Sequence, residues 1–181
     1  MKKWILCLFV IAISHSLSAQ KYFTKNGEIS FTSKTPIETI HAENKQVLAV
    51  IDEATKQIAL NLLIKGFLFD KQLMQDHFNE EVIESDKYPK ANFIGKITDN
   101  IDLSKPGKYH VRISGQLSMN GITKPLYTEA DIEISAGKLK AACNFKIPFE
   151  DYNIKIPSVL RNNISKTISV LVNIDCNPMN K

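Results

Sequence analysis

Apolar and polar residues alternate along most of the chain, and the alternation predicts β-strands. A period of two places successive side chains on opposite faces of an extended segment. The predicted strands lie within residues 29–33, 47–51, 58–67, 90–99, 107–120, 124–135, 138–149 and 165–176. About eight strands at the spacing of hairpins indicate an all-β fold, an antiparallel sandwich or barrel.

The turns between the predicted strands carry their own signals. Asn120-Gly121 suits a tight hairpin turn with positive φ angles, and Ala136-Gly137 predicts a second turn. In an eight-stranded barrel the interior is filled by side chains or holds one small ligand. The inward positions here are mostly medium-sized, and their number does not decide between the two.

One segment breaks the alternation and predicts an amphipathic helix over about residues 71–84, with Asp70 as a candidate cap. Its apolar residues at helical spacing are Leu73, Met74, Phe78 and Val82. Such a stripe has to be buried, and an open barrel end or a sheet face offers the surface for it. A second short helix or an irregular loop is predicted near residues 158–164.

The first 19 residues have the pattern of a secretory signal peptide. Lys2 and Lys3 precede a short apolar run, and small residues follow up to Ala19, where cleavage is expected. The run is too short to span a bilayer, and no later stretch approaches that length. The sequence thus predicts one domain, residues 20–181, in a periplasmic or secreted protein without a transmembrane segment.

Charge argues against a nucleic-acid partner. The formal net charge is +4, and removal of Lys2 and Lys3 leaves about +2. The basic residues are scattered among acidic ones, whereas nucleic-acid binding needs a one-sided basic patch. The sequence leaves open whether the chain forms a homodimer.

The acidic run around His77 resembles a metal or acid–base site, but its composition argues against both. No His-x-x-x-His pair occurs, whereas catalytic zinc usually takes two histidines among three protein ligands. Glu80, Glu81 and Glu84 fall on the predicted solvent face, so nothing splits their pKa values for acid–base work. We therefore expect that the protein binds no metal, has no catalytic residues and is not an enzyme.

Two segments resemble the YceI-like family. GQLSMNGITKP, from Gly115 to Pro125, is similar to that family's Gly-x-Leu-Thr-x-x-Gly-Val-Thr-Lys-Pro segment. The segment from Asp76 to Phe93 is similar to its helix with a His-Leu pair, followed by Tyr-Pro. The resemblance implies an extended, lipocalin-like antiparallel barrel, exported by bacteria, whose pore holds a polyisoprenoid chain in characterised members. Stress response and isoprenoid-quinone handling are suggested roles of the family.

The chain departs from the family pattern near the helix. Met74 and Gln75 stand where the family often carries Arg-Asp, so a head-group contact by that pair is absent. The His-Ser element seen near the N-terminus of many members is missing from residues 29–42.

The leading hypothesis is a carrier that sequesters an apolar chain lipid, a polyisoprenoid or isoprenoid quinone, and needs no other cofactor. The expected end wall is Phe67, Phe69, Leu73, Met74 and Phe78, and the expected middle lining is Phe93, Leu117, Met119 and Phe145. The second hypothesis is a ligand-free structural or protein-binding barrel involved in stress response. Without the signal segment no Trp remains to block the interior, which favours a cavity.

Two cysteines remain after the signal segment, Cys143 and Cys176. If their strands pair antiparallel, both thiols face the interior, and a disulfide between them is the prediction. A bond requires Cα atoms within about 7 Å. Separate buried thiols are the alternative, because free Cys behaves as a small apolar residue.

Overall fold

Nine strands form a single antiparallel sheet in the computed structural model, which describes residues 20–179. They are β1 (Lys21–Lys34), β2 (Thr39–Asp52), β3 (Gln57–Leu63), β4 (Leu68–Phe69), β5 (Lys90–Ile97), β6 (Gly107–Met119), β7 (Ile122–Ser135), β8 (Lys138–Pro148) and β9 (Thr167–Pro178). The predicted signal peptide and its cleavage near Ala19 lie outside the described residues, so they stay predictions.

The sheet closes on itself. The strand order is β1-β9-β8-β7-β6-β5-β3-β2, and β1 also pairs with β2. That ring contains eight strands. The two-residue β4 is not part of the ring and pairs only with β2. The predicted eight-stranded antiparallel barrel is confirmed, and β4 is an addition to it.

The alternation sets which face of each strand is buried. Val111 and Ile132 point into the barrel and are buried, whereas their neighbours His110 and Asp131 are exposed. The hairpin turns also form as predicted, because Asn120 and Gly121 take φ angles of 51° and 72°. Period-two patterning and turn chemistry therefore place β6 and β7 correctly.

The first two strands are longer than predicted because each is irregular. The register between β1 and β2 shifts between Thr24 and Gly27 and again between Gly27 and Ile29. Such shifts interrupt the alternation, since residues on either side of a bulge no longer keep one phase. The sequence pattern therefore shows only the later part of each strand.

Between residues 20 and 179, helical structure is confined to short segments. The predicted helix forms as α1 (Gln72–His77) followed by a π-helical turn (Phe78–Val82). The N-cap is Lys71 without a side-chain cap bond, so the prediction that Asp70 caps the helix is wrong. Short 3-10 turns lie at Ile64–Gly66, Phe149–Tyr152 and Ser158–Leu160, and the last one agrees with the predicted irregular segment. None of the helices within residues 20–179 is long and apolar enough to cross a membrane.

One end of the barrel is filled with side chains. Leu103, from the connection between β5 and β6, is buried against this end, and its exposed fraction is 1%. The fully buried apolar side chains that share this part of the core are Val47, Val111, Ile132, Leu139 and Cys176. We call it the closed end, and the end beneath α1 the open end.

Candidate functional site

The open end is covered by α1 and the π-helical turn. The N–H of Ile83 donates to the carbonyl of Phe78 over 3.0 Å, which closes the wider turn and leaves Val82 and Ile83 both buried. The backbone N–H of Phe69 donates to Oε1 of Gln75 over 3.3 Å, which ties α1 to β4. Gln75 therefore has a structural role here, at a position where the resemblance expects a charged residue.

Four phenylalanines meet where this cover contacts the barrel. Phe31 of β1 has its ring centroid 5.1 Å from that of Phe67 and 5.5 Å from that of Phe78. Phe69 of β4 lies 5.1 Å from Phe78 and 5.8 Å from Phe31. These centroid distances are those of favourable aromatic pairs. The cluster fixes the helical cover on the barrel.

Three apolar cavities follow one another from the middle of the barrel to its open end. The inner cavity has a volume of about 80 Å³, the middle cavity about 100 Å³ and the outer cavity about 310 Å³. Leu117 and Phe145 line both the inner and the middle cavity. Phe31 and Phe78 line both the middle and the outer cavity. Shared walls make the three a single path interrupted by side chains.

The nine residues predicted to line a pore all border one of these cavities. Phe93, Leu117 and Phe145 border the inner cavity, and Phe67, Phe78, Leu117, Met119 and Phe145 border the middle one. Phe69, Leu73, Met74 and Phe78 border the outer cavity. The structure thus brings the predicted residues together, and their contact with a ligand stays a prediction.

Sequence reasoning missed several residues of the same walls. Phe31 and Phe149 line both the middle and outer cavities, and Leu160 and Ile164 line the outer one. The alternation marks Phe31 as inward but not as part of the open end. Leu160 and Ile164 come from an irregular loop, where no periodicity reports burial.

The inner cavity depends on two glycines. Gly95 and Gly115 pair across β5 and β6, and the ring of Phe93 lies over both. A Cβ atom on either glycine would overlap that ring. Their missing side chains let Phe93 lie against the wall instead of across the interior.

The structure contradicts the predicted disulfide. Cys143 and Cys176 do lie on adjacent antiparallel strands, but Cys143 pairs with Val172 and Cys176 pairs with Leu139. This offset of four residues separates their Cα atoms by about 13 Å, well beyond the roughly 7 Å of a disulfide. Both are free thiols, and burial raises the pKa of Cys143 to about 11 and that of Cys176 to about 12.

A broad concavity lies outside the barrel and is lined mainly by charged and polar residues. It measures about 810 Å³ and crosses the outer face of β6 to β9 and β1. Its charges pair with one another, as His110 does with Asp131 at 2.7 Å and Lys140 with Asp175 at 3.7 Å. The hydrogen bond to Asp131, and a second one to Glu129, raise the pKa of His110. Exposed ion pairs of this kind are typical of a solvated face.

The acidic residues near the helix do not converge on a metal. His77 Nδ1 lies 2.9 Å from Oε1 of Glu81, an ordinary pair four residues apart. Within residues 20–179 no group of three potential ligands is arranged to hold a metal ion.

A family model, the YceI-like domain, matches residues 13–176. The chain belongs to the YceI-like family. The resemblance drawn from Gly115–Pro125 and Asp76–Phe93 is thereby confirmed. No protein of curated function matches the chain.

Solved structures share the barrel despite low sequence identity. A polyisoprenoid-binding domain from Saccharophagus degradans, implicated in plant cell wall breakdown, has a TM-score of 0.76 at 15% identity, over 89% of this chain and 99% of that one. BcnA of Burkholderia cenocepacia has a TM-score of 0.68 at 13% identity, over 82% and 95% of the two chains. A YceI protein of Campylobacter jejuni has a TM-score of 0.60 at 17% identity, and both chains are covered over 100%. The lipocalin-like barrel is therefore the fold of the family.

Proposed function

We propose that this chain is an exported protein that binds an apolar chain lipid, of the polyisoprenoid or isoprenoid-quinone class, inside the open half of its barrel. The observation that carries the proposal is the series of three apolar cavities beneath the helical cover. The S. degradans relative, a polyisoprenoid-binding domain with the same fold, supports it. The signal-peptide pattern of residues 1–19 supports export to the periplasm or beyond.

The chemistry of the walls suits a chain with one polar end. Every side chain around the middle cavity is apolar. Acidic and basic side chains border only the outer of the three cavities, where Lys71, His77 and Glu38 stand beside Leu73 and Phe78. The inner cavity is bordered by two neutral polar residues, Asn92 and Thr128. In the inner cavity the Thr128 hydroxyl already donates to a backbone carbonyl. The tail of a lipid would therefore lie inward, with its polar end at the opening.

The volumes set how such a chain enters. The outer cavity, about 310 Å³, reaches the size of typical ligand sites, which begin at about 300 Å³. The middle and inner cavities are smaller, so a long chain has to displace the rings of Phe31 and Phe78 that separate them from the opening. Each buried methylene contributes about 0.8 kcal/mol, which can offset such rotamer changes.

Binding, and not catalysis, is the activity that these walls support. A general acid or base has to reach the reacting group, and the described walls of the inner and middle cavities carry no carboxylate or imidazole. A ligand-free scaffold is the second candidate, because the closed end is filled by side chains. The two candidates differ in whether the open half takes up a chain.

The test is lipid analysis of protein purified from its native host. Organic-solvent extraction followed by mass spectrometry should show an apolar lipid close to one equivalent per chain. Met119→Asp and Leu117→Asp place a carboxylate in the cavities and should abolish co-purification, since an unpaired buried charge is costly. Gln116→Asp, on the exposed face of the same strand, is the control and should retain the lipid.

A second variant tests the same site without a buried charge, in case the Asp variants do not fold. Ala91 borders both the inner and the middle cavity, so Ala91→Leu fills their shared space without adding charge. The folded variant should lose the lipid. A wild-type protein without lipid would favour the ligand-free scaffold. An Ala91→Leu variant that keeps a full equivalent would show that the lipid lies outside the inner and middle cavities.

A further inference from the structure

The opening of the outer cavity is surrounded by exposed apolar side chains. Val159, in the loop between β8 and β9, is 80% exposed, and Ile37, in the turn between β1 and β2, is 68% exposed. Leu73 of α1 is 66% exposed and itself borders the cavity. Leu160 and Glu38, which follow Val159 and Ile37, border it as well. Three separate segments thus each present at least one exposed apolar side chain around a single opening.

The same three segments are rich in basic residues without acidic partners. We call residues 34–38, 68–73 and 155–166 together the rim. The rim contains five basic residues against two acidic ones, Glu38 and Asp70. The five are exposed, and within residues 20–179 none lies within 4.0 Å of an acidic partner: Lys34, Lys71, Lys155, Arg161 and Lys166. Glu38 accepts a hydrogen bond from Asn163 over 2.9 Å, which ties two parts of the rim together.

We propose that the rim docks onto the surface of an anionic lipid bilayer. Val159, Ile37 and Leu73 would enter the boundary between head groups and acyl chains, while the lysines and arginine contact the anionic head groups. The inference rests on the proposed function, because docking here places the opening against the source of an apolar cargo. The lipid then passes between membrane and cavity without crossing water.

The charges also set the orientation of the docked protein. The segment 155–166 carries Lys155, Arg161 and Lys166 and no acidic residue, so it makes the closest approach. The helical cover carries Asp76, Glu80 and Glu81, which an anionic surface repels. The docked barrel is therefore tilted relative to the bilayer. The 155–166 loop lies against the membrane surface, and the C-terminal end of α1 lies farther from it. Leu73, at the start of α1, remains near the surface.

A protein partner fits this surface less well than a bilayer. The cores of protein interfaces are depleted in charged residues and contiguous in their apolar area. On the rim, single apolar side chains alternate with unpaired cations around an opening. That is the composition of an interfacial lipid-binding surface.

The test is flotation of residues 20–181, a chain that contains every element of the barrel, with lipid vesicles. Vesicles of equal parts phosphatidylglycerol and phosphatidylcholine should bind the chain, and pure phosphatidylcholine should not. Arg161→Glu combined with Lys166→Glu should lower the partition coefficient at least about 25-fold, because each basic residue near an anionic surface contributes about a fivefold factor. Lys96→Glu combined with Lys138→Glu, two exposed lysines away from the rim, is the matched control and should bind as wild type.

The exposed apolar residues of the rim are tested by a second variant with a matched control. Val159→Asp should lose vesicle binding, whereas Ile94→Asp, at a residue 65% exposed on the outer wall, should keep it. Equal losses in both pairs, or no binding to anionic vesicles, would overturn the docking proposal. So would a dimer in solution that Val159→Asp dissociates, because the rim would then be a self-association surface.

The outcome separates docking from cargo binding. Uptake of a fluorescent apolar probe added from ethanol requires the cavities but no membrane. Probe uptake without vesicle binding overturns docking and leaves the proposed function standing. Vesicle binding without probe uptake supports docking and overturns the carrier.

Discussion

A single buried amide holds together the most irregular part of the barrel. Asn44 is fully buried, at the position where β2 slips in register against β1. Its Nδ2 donates to the carbonyl of Leu63 over 2.9 Å, and its Oδ1 accepts from the N–H of Gln46 over 2.9 Å. Gly66 lies so close that a Cβ atom there would overlap the amide. The side chain thus satisfies backbone groups that the bulge leaves without ladder partners.

Asn44→Leu should therefore destabilise the protein strongly for a change of similar size. Two partly buried backbone groups lose their hydrogen-bond partners, so we expect the free energy of unfolding to fall by about 2–4 kcal/mol. Urea denaturation followed by circular dichroism measures it. Asn61→Leu, an exposed asparagine on β3, is the control and should change stability by less than about 0.5 kcal/mol. Equal effects in the two variants would contradict the role assigned to Asn44.

At the scale of elements, the helical cover depends on tertiary contacts. α1 has six residues and no side-chain cap, too short to persist as an isolated helix. Phe78, at its C-terminal end, contacts Phe31, Phe67 and Phe69 with centroid distances between 5.1 and 6.1 Å. The ring of Phe78 therefore both anchors the cover and separates the outer cavity from the middle one.

Phe78→Ala should weaken the fold and open the path at once. Because Phe78 is half-buried, we expect a loss of about 2–3 kcal/mol, below the 3–5 kcal/mol typical of fully buried phenylalanines. Uptake of an apolar fluorescent probe, followed by stopped flow, should be faster than in the wild type. Phe69→Ala removes another half-buried ring of the cluster that borders only the outer cavity, and should leave the uptake rate unchanged. Unchanged uptake in Phe78→Ala would show that the ring is not a barrier.

The sequence predicts some elements well and others poorly, for physical reasons. The inward faces of β6 and β7 are predicted because a period of two specifies them from neighbouring residues alone. The early parts of β1 and β2 are not predicted by the sequence, because bulges near Gly27 and Asn44 change the phase of the alternation. The helix is predicted within a few residues, but the bond from Phe69 to Gln75 that ties down its start depends on tertiary structure.

The candidate site follows the same division. Each of the nine predicted residues borders one of the three cavities, as the local pattern specifies, although Leu73 is also largely exposed. The contact between Phe31 and Phe78 depends on how the barrel closes, which the local pattern does not contain. The partition into three cavities depends on ring orientations, such as that of Phe93 over Gly95 and Gly115. The disulfide prediction was wrong because strand pairing is predictable from hairpins but a register offset of four residues is not.

At the scale of the whole molecule, the closed end of the barrel is tightly packed and supplies stability, whereas the open end contains the cavities. Leu139 at the closed end is fully buried and borders none of the cavities described above. Leu126, on β7, is half-buried and borders the inner cavity. Tight packing at one end leaves the other end free to remain loosely packed, since a core without voids carries most of the stabilisation.

Truncation of the two leucines should show this division. Leu139→Ala should lower the free energy of unfolding by about 3–5 kcal/mol, because the cavity it creates is surrounded by close-packed neighbours. Leu126→Ala should cost less than about 1.5 kcal/mol, since its side chain already borders empty space and is partly exposed. Urea denaturation of both variants tests the difference. Similar losses would mean that stability is spread evenly along the barrel axis.

The pairing of β9 with both β8 and β1 also sets the order in which the protein can be completed. β9 is synthesised after the other eight described strands, and it fills the gap between β1 and β8. Until residues 167–178 are available, the preceding strands can form only an open sheet with two unpaired edges, which are prone to pair with other chains. Contacts between β1 and β9 join the first and last of the described strands and close a very long loop, a topology that slows folding. The barrel therefore stays open until residues 167–178 have been synthesised, and loss of β9 would expose both edges permanently.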